Sequence, residues 1–466
     1  MRARPSQLRL PSDAPGRGGP NLACLFFPVL DRSPRSRPGV AAAYVAGLVA
    51  VVATALLRQS GLPATSTIWA EDGRIFYAQA LRMPFWQTLV TSHDGYGQLL
   101  PRVVVQMARL GAPGRAAEVL AIVGAFSLAV IACLVFHMAR GHIGSPCLRA
   151  LLVGAMVLLP VATGELLDNV VNVPWWLCFA SFWALLWRPR SATGRAAAGL
   201  VCFFAAASEP LVGLFLPLSL ARALALRNVR DQAPTVGIIS GLLYQLLVIA
   251  RSSGNIVSSA GSLRGLALSF SVRVGLGLAG GEKGTDWLFT HERGTAVALG
   301  AVLLCSLLAI GVGGSLQVRL FTLTAATFCV GCYVLPVWLR GLGPTMQIAR
   351  VEVASRYQAV PLLLLVSVIL VVADHWADAR TESAPRHRSR DWRAVTAVAL
   401  CACLLGPSWV VDFRDLNQRS AGPAWGSQVA KATAQCRNSP AATVSLAIDP
   451  PGWDVLLRCT HLLAGH

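Results

Sequence analysis

The stretch AEVLAIVGAFSLAVIACLVFHMA, Ala117–Ala139, decides the fold class. It carries one acid at its edge, Glu118, and no lysine or arginine. A helical run of about 17–25 apolar residues spans the hydrocarbon layer of a bilayer. Strands of a membrane barrel would alternate every second residue, and this stretch does not. Ten further runs read the same way: 40–57, 149–164, 172–187, 196–208, 210–224, 233–250, 294–313, 320–339, 358–373 and 392–409. The sequence therefore predicts an all-α polytopic membrane protein with about 11 transmembrane helices. The runs 196–208 and 210–224 are short and read best as one re-entering hairpin around Ser208-Glu209-Pro210.

Composition agrees. Of 466 residues, 55% are hydrophobic and 13% charged, against roughly a quarter charged in soluble domains. That excludes a soluble globular enzyme and a disordered chain. The net charge is +18. Nucleic-acid binding is nevertheless excluded, because too little surface would meet water. The excess sits instead where the positive-inside rule wants it. Arg2, Arg4, Arg9, Arg17, Arg32, Arg35 and Arg37 put a disordered, basic segment 1–39 in the cytoplasm, followed by a signal anchor. Three further clusters fall on the same side: Arg188, Arg190 and Arg195; Arg222, Arg227 and Arg230; and Arg386, Arg388 and Arg390. With 11 crossings the C-terminus is outside. The transmembrane domain covers 40–409, and its outer segments are 58–116, 251–293, 340–357 and the tail 410–466. In 58–116, Ile75, Phe76, Leu81, Phe85, Trp86 and Leu89 recur as in helices lying along a membrane surface.

Ten of the 12 cysteines fall in spans or cytoplasmic segments. Only Cys436 and Cys459 lie outside, where an oxidising compartment predicts a disulfide contributing about 3 kcal/mol. The tail reads as a small extracytoplasmic α/β appendage. Trp425, Val429, Ala432 and Cys436 share a helical face, and Val444, Leu446 and Ile448 alternate as a strand.

Ionisable groups are expensive inside a membrane, and the span centres here are nearly free of them. The acids gather at outer ends and loops, as an enzyme of the outer interface would place them and an ion-coupled transporter would not. The sharpest element is Trp69-Ala70-Glu71-Asp72-Gly73. Adjacent carboxylates beside a membrane offer a general base, a metal ligand, or both. The alternative is that Asp72 caps a surface helix and Glu71 is merely solvated. In Ser92-His93-Asp94-Gly95-Tyr96-Gly97-Gln98, His93 and Asp94 are candidates to bind an acceptor hydroxyl, though a polar turn explains them as well. Arg102, after Leu100-Pro101, is a candidate phosphate ligand. The next outer loop, Glu165 to Trp176, sets Glu165, Asn169 and Asn172 beside Trp175 and Trp176. Polar groups near flat rings suit a sugar; an interfacial aromatic belt is the competing account. Arg356 and Tyr357 precede a late span, where an arginine holds a lipid phosphate or snorkels to the interface. Arg264 and Arg273 are weaker candidates for the same task. Gly275, Gly277 and Gly280 match GxGxxG, but no strand precedes them, so a nucleotide site is discounted.

These residues together resemble the GT-C superfamily, the integral-membrane glycosyltransferases that use polyprenyl-phosphate-linked sugars. The similarity is to uncharacterised bacterial members with a W-x-E-D-G…G-Y…L-P-R pattern, matched by Trp69, Glu71, Asp72, Gly73, Gly95, Tyr96, Leu100, Pro101 and Arg102. Asn172 with Trp175, and Arg356 with Tyr357, match two further elements. The resemblance implies transfer of a sugar from a polyprenyl-phosphate donor to an extracytoplasmic glycan, lipid or protein acceptor, in the bacterial inner membrane and with inversion. Asp72 would be the base, and Glu71 would orient the acceptor or share a divalent cation. Arg356, with Arg102, would stabilise the departing phosphate. A lipid-linked sugar flippase and a non-catalytic envelope assembly protein are the alternatives.

Overall fold

The computed structural model describes residues 22–28, 38–252, 262–339, 354–378 and 389–463. The arginines of the first 37 residues, Arg350, Glu352, Arg386 and Arg388 lie outside the described residues. The chain is mostly helical: α1 (Pro38–Arg58), α2 (Ala116–Met138), α3 (Pro146–Leu158), α4 (Val173–Leu186), α5 (Ala192–Ser208), α6 (Leu216–Ala225), α7 (Ala233–Ala250), α8 (Leu263–Phe270), α9 (Gly277–His291), α10 (Arg293–Gly313), α11 (Leu316–Leu339), α12 (Arg356–Asp378), α13 (Ser389–Val411) and α14 (Trp425–Asn438). A two-stranded antiparallel sheet, β1 (Thr443–Ile448) and β2 (Trp453–Arg458), completes it.

Among the described residues, eight helical segments are long and apolar enough to cross a membrane: Gly39–Arg58, Pro113–Gly141, Ala233–Ala250, Leu263–His291, Arg293–Gly313, Leu316–Leu339, Arg356–Asp378 and Trp392–Val411. Four of the expected 11 runs are shorter helices instead, namely α3, α4, α5 and Pro210–Ala225. One candidate span is new. The region expected as outer loop 251–293 is helical over most of Leu263–His291, with a π-helical turn at Ser271–Leu276 and a kink at Gly281, where φ is 64°. Arg264, Arg273, Glu282, Lys283 and Asp286 interrupt the segment and hide it from a scan for apolar runs. Arg273 is fully buried there rather than offered to a lipid phosphate. The GxGxxG glycines lie in this helical segment, where Gly275 packs against the backbone of Gly300.

Two cores form. The larger is built on α4, every residue of which is buried, and on α12, most of whose residues are. Aromatic rings interlock across it: Phe182 meets Phe215, Phe321 and Phe328, and Phe215 meets Phe328. The smaller core joins the long connection after α1 to the tail. It contains Ile68, Phe76, Tyr77, Val105, Val170 and Val171 together with Trp425, Val429, Leu446, Ile448 and Val455. The buried face of α14 is the expected one, Trp425, Val429, Ala432 and Cys436. Cys436 is disulfide-bonded to Cys459, with Cα atoms 5.2 Å apart. In β1, Leu446 and Ile448 are buried and pair with Val455 and Trp453. The tail is thus no detached appendage. Trp69 pairs with Asp449 as a parallel bridge, and the Trp425 indole donates to the Pro113 carbonyl at 2.7 Å. Because Phe76 belongs to this core, only part of the expected surface-lying set stays exposed, notably Phe85 and Trp86.

Arg58, at the end of α1, ties α3 to α13. Its guanidinium, fully buried, donates to the carbonyls of Val157, Leu159, Asp412 and Phe413 at 2.7–3.2 Å. Those carbonyls end α3 and α13, where a helix leaves acceptors unpaired and its dipole favours a cation.

Candidate functional site

The site is a cavity of about 220 Å³ where the two cores meet. Glu71, His93, Asp94, Tyr96 and Gln98 reach it from the long connection, and Val171 and Asn172 from the next loop. Pro174 and Trp175 come from the start of α4, and Ser208, Glu209, Pro210 and Leu211 from the break between α5 and α6. Ile249, Leu335, Pro336 and Leu339 close an apolar side, and Arg356 with Tyr357, at the start of α12, completes the wall.

At its polar end Arg356 stands between two carboxylates, 3.8 Å from Glu71 and 3.9 Å from Glu165. Charge-assisted bonds of full strength are nearer 2.7–2.9 Å, so these pairs hold the guanidinium loosely. Its side chain remains 24% exposed, toward the cavity it lines. It also lies over the Tyr357 ring at 5.5 Å, and Tyr357 meets Trp175 edge to face at 5.3 Å. Glu165 is fixed from its own loop: the Asn172 amide donates to its carbonyl at 2.6 Å, and its carboxylate accepts the Ala354 N–H at 3.2 Å. Asn169 donates to the Glu165 and Leu167 carbonyls and accepts the Asn172 N–H at 3.1 Å. These two asparagines shape the loop; Asn172 lines the cavity and Asn169 does not.

The adjacent acids of Glu71-Asp72 part company. Glu71 lines the cavity. Asp72 is 2% exposed and accepts the N–H groups of Val170 and Val171, both at 2.8 Å. Burial pushes its carboxyl up to about 7, against the pull of those two bonds. It neither caps a helix nor faces the cavity; it staples the second loop to the first. Gly73 permits the seam on the other side, since a Cβ there would stand 2.8–2.9 Å from side-chain atoms of Ile68, Val455 and Ile448.

His93 to Tyr96 form a tight turn, with reciprocal backbone bonds of 2.9 and 3.1 Å and positive φ at Asp94 (51°) and Gly95 (85°). Positive φ at both central positions marks a type I′ turn, which Asp-Gly favours. The polar-turn reading therefore describes the backbone, yet it is this turn that delivers His93 and Asp94 to the cavity wall. Gln245 of α7 anchors it by bonding the N–H and C=O of Gly97, each at 2.8 Å. Arg102 is elsewhere. It is 1% exposed, donates to the Gln79 side chain at 2.8 Å, lies over the Phe76 ring at 5.2 Å, and does not line the cavity.

The site residues that sequence reasoning passed over are Gln98, Ser208 and Glu209. For Ser208 and Glu209 the signal was the helix break at Ser208-Glu209-Pro210, which predicts exposed backbone at membrane depth, tolerated only where it lines a cavity; Gln98 had no such signal. The described residues contain no cluster of three or more His, Cys, Asp or Glu able to hold a metal ion. Comparison with protein-family models and with curated proteins finds no match to this chain.

Proposed function

We propose that this protein is a membrane-embedded glycosyltransferase of the GT-C kind, moving a sugar from a polyprenyl-phosphate donor to an acceptor hydroxyl at the extracytoplasmic face. The observation that carries the reading is the meeting of Glu71 and Arg356 on one cavity with an apolar side. Such a cavity offers one permanent cation for a phosphate, one carboxylate for a proton and an apolar surface for a lipid chain. At about 220 Å³ it is smaller than the roughly 300–1,000 Å³ of common small-molecule pockets, which suits a headgroup whose chain runs on into the bilayer.

In this reading Glu71, rather than Asp72, is the base. The acceptor oxygen attacks the anomeric carbon, its proton passes to the Glu71 carboxylate, and the bond from that carbon to the phosphate oxygen breaks. The electron pair stays on the departing lipid phosphate, beside Arg356, where a fixed cation stabilises the growing charge. Glu165 orients the guanidinium from behind. Asp72 acts only by holding the loops in register.

The test is transfer of labelled sugar from a polyprenyl-phosphate donor by the purified full-length protein. Glu71→Gln should lower the turnover about 10²–10⁴-fold, the usual contribution of a positioned base, with an unchanged melting temperature. Retention of normal transfer by Glu71→Gln removes Glu71 as the base. Movement of lipid across a vesicle membrane with no bond change identifies a flippase instead.

A further inference from the structure

Gln98 is 5% exposed and lines the cavity. One end of its amide is committed, with Nε2 3.2 Å from the Tyr96 hydroxyl; the other, Oε1, is buried and has no partner. A buried acceptor left unpaired is costly, so the site is suited to something that supplies the missing bond. Ser208 stands close by. Its Oγ accepts the Leu100 N–H at 2.9 Å, two residues from Gln98, which leaves its own O–H to donate. Both residues line the cavity, one with an unpaired acceptor and one with a hydroxyl hydrogen to donate. Were the amide turned over, with Oε1 toward Tyr96, the unpaired end would donate instead. A ligand hydroxyl satisfies both orientations, because it donates and accepts; a carboxylate or an ammonium satisfies only one.

We infer that Gln98, with Ser208, forms a specificity subsite that grips a ring hydroxyl of the transferred sugar. The inference rests on the transferase reading for the identity of the ligand, and deepens it by naming the group that selects the sugar. A site that hydrogen-bonds a hydroxyl rejects the analogue lacking it far more strongly than a hydrophobic pocket rejects a missing methylene.

The experiment measures binding, not turnover, on the full-length protein in detergent. The probes are a farnesyl-phosphate-linked hexose, its single-deoxy analogues, and the matching methyl hexosides without lipid phosphate. The wild type should bind the parent hexose at least about tenfold more tightly than one of the deoxy analogues. Gln98→Met, of similar shape, and Ser208→Ala should each abolish that preference. Preference that survives in both folded variants overturns the subsite. Binding of the lipid-linked probes that needs Arg356 but shows no Gln98-dependent preference refutes the subsite while supporting the donor reading. Gln98-dependent preference among the methyl hexosides, with the lipid-linked probes indifferent to Arg356→Ala, does the reverse. No binding of any probe refutes both.

Discussion

At the scale of single residues, the neighbouring acids Glu71 and Asp72 show how one residue step separates chemistry from support. Asp72 spends both oxygens on the Val170 and Val171 N–H groups. An alanine offers neither N–H an acceptor. Asp72→Ala should therefore destabilise the fold by about 1–3 kcal/mol at pH 4, read as a lowered melting temperature, whereas Glu71→Gln should leave it unchanged. The pH dependence has a definite sign. Burial raises the folded carboxyl from its ordinary 3.8 to about 7. Between those values the folded state holds a proton that the unfolded state has released. The contribution is thus fully present below about pH 4 and is lost as pH rises toward 7, by on the order of 4 kcal/mol. Wild-type stability relative to Asp72→Ala should fall as the pH rises through that window; a pH-independent difference would contradict it. The adjacent carboxylates were legible in the sequence. Which of them faces the cavity was not, because that depends on contacts with a loop about 100 residues away.

At the scale of elements, what was legible is what local periodicity encodes. The apolar runs became helices, and the tail helix buries the face its spacing marked, Trp425 to Cys436. The helical segment Leu263–His291 escaped because its charges dilute the apolar signal, although Arg273 is buried by packing rather than exposed. The seam between the tail and the long connection also escaped. It is made of non-local contacts, the Trp69–Asp449 bridge and the close approach of Ile448 and Val455 to Gly73, and no pattern within either segment announces it. Gly73→Val would place branched carbons in a space already filled by the methyl groups of Ile68, Ile448 and Val455, an overpacking that costs about 1–3 kcal/mol. The variant should release the tail to limited proteolysis at lower protease concentration and depress transfer with it. A tail equally resistant in wild type and variant would show that the seam does not hold the first loop in place.

At the scale of the whole molecule, a large apolar core and a smaller disulfide-braced one meet, and the cavity lies at their junction. Helices alone would supply the apolar wall and Arg356; the tail-braced loops add Glu71, His93, Asp94 and Gln98. Acids and arginine meet only because both cores form, which is why the residues of the site are scattered from 71 to 357 in the chain. The central claim is that this junction holds a lipid phosphate against Arg356 with Glu71 facing the sugar side. The most direct measurement is a cryo-electron microscopy map of the full-length protein with farnesyl phosphate. The account predicts phosphate density within about 3 Å of the Arg356 guanidinium, with the farnesyl chain running along Leu335 and Leu339. Density for the phosphate at another site, with this cavity unchanged by the lipid, would contradict it.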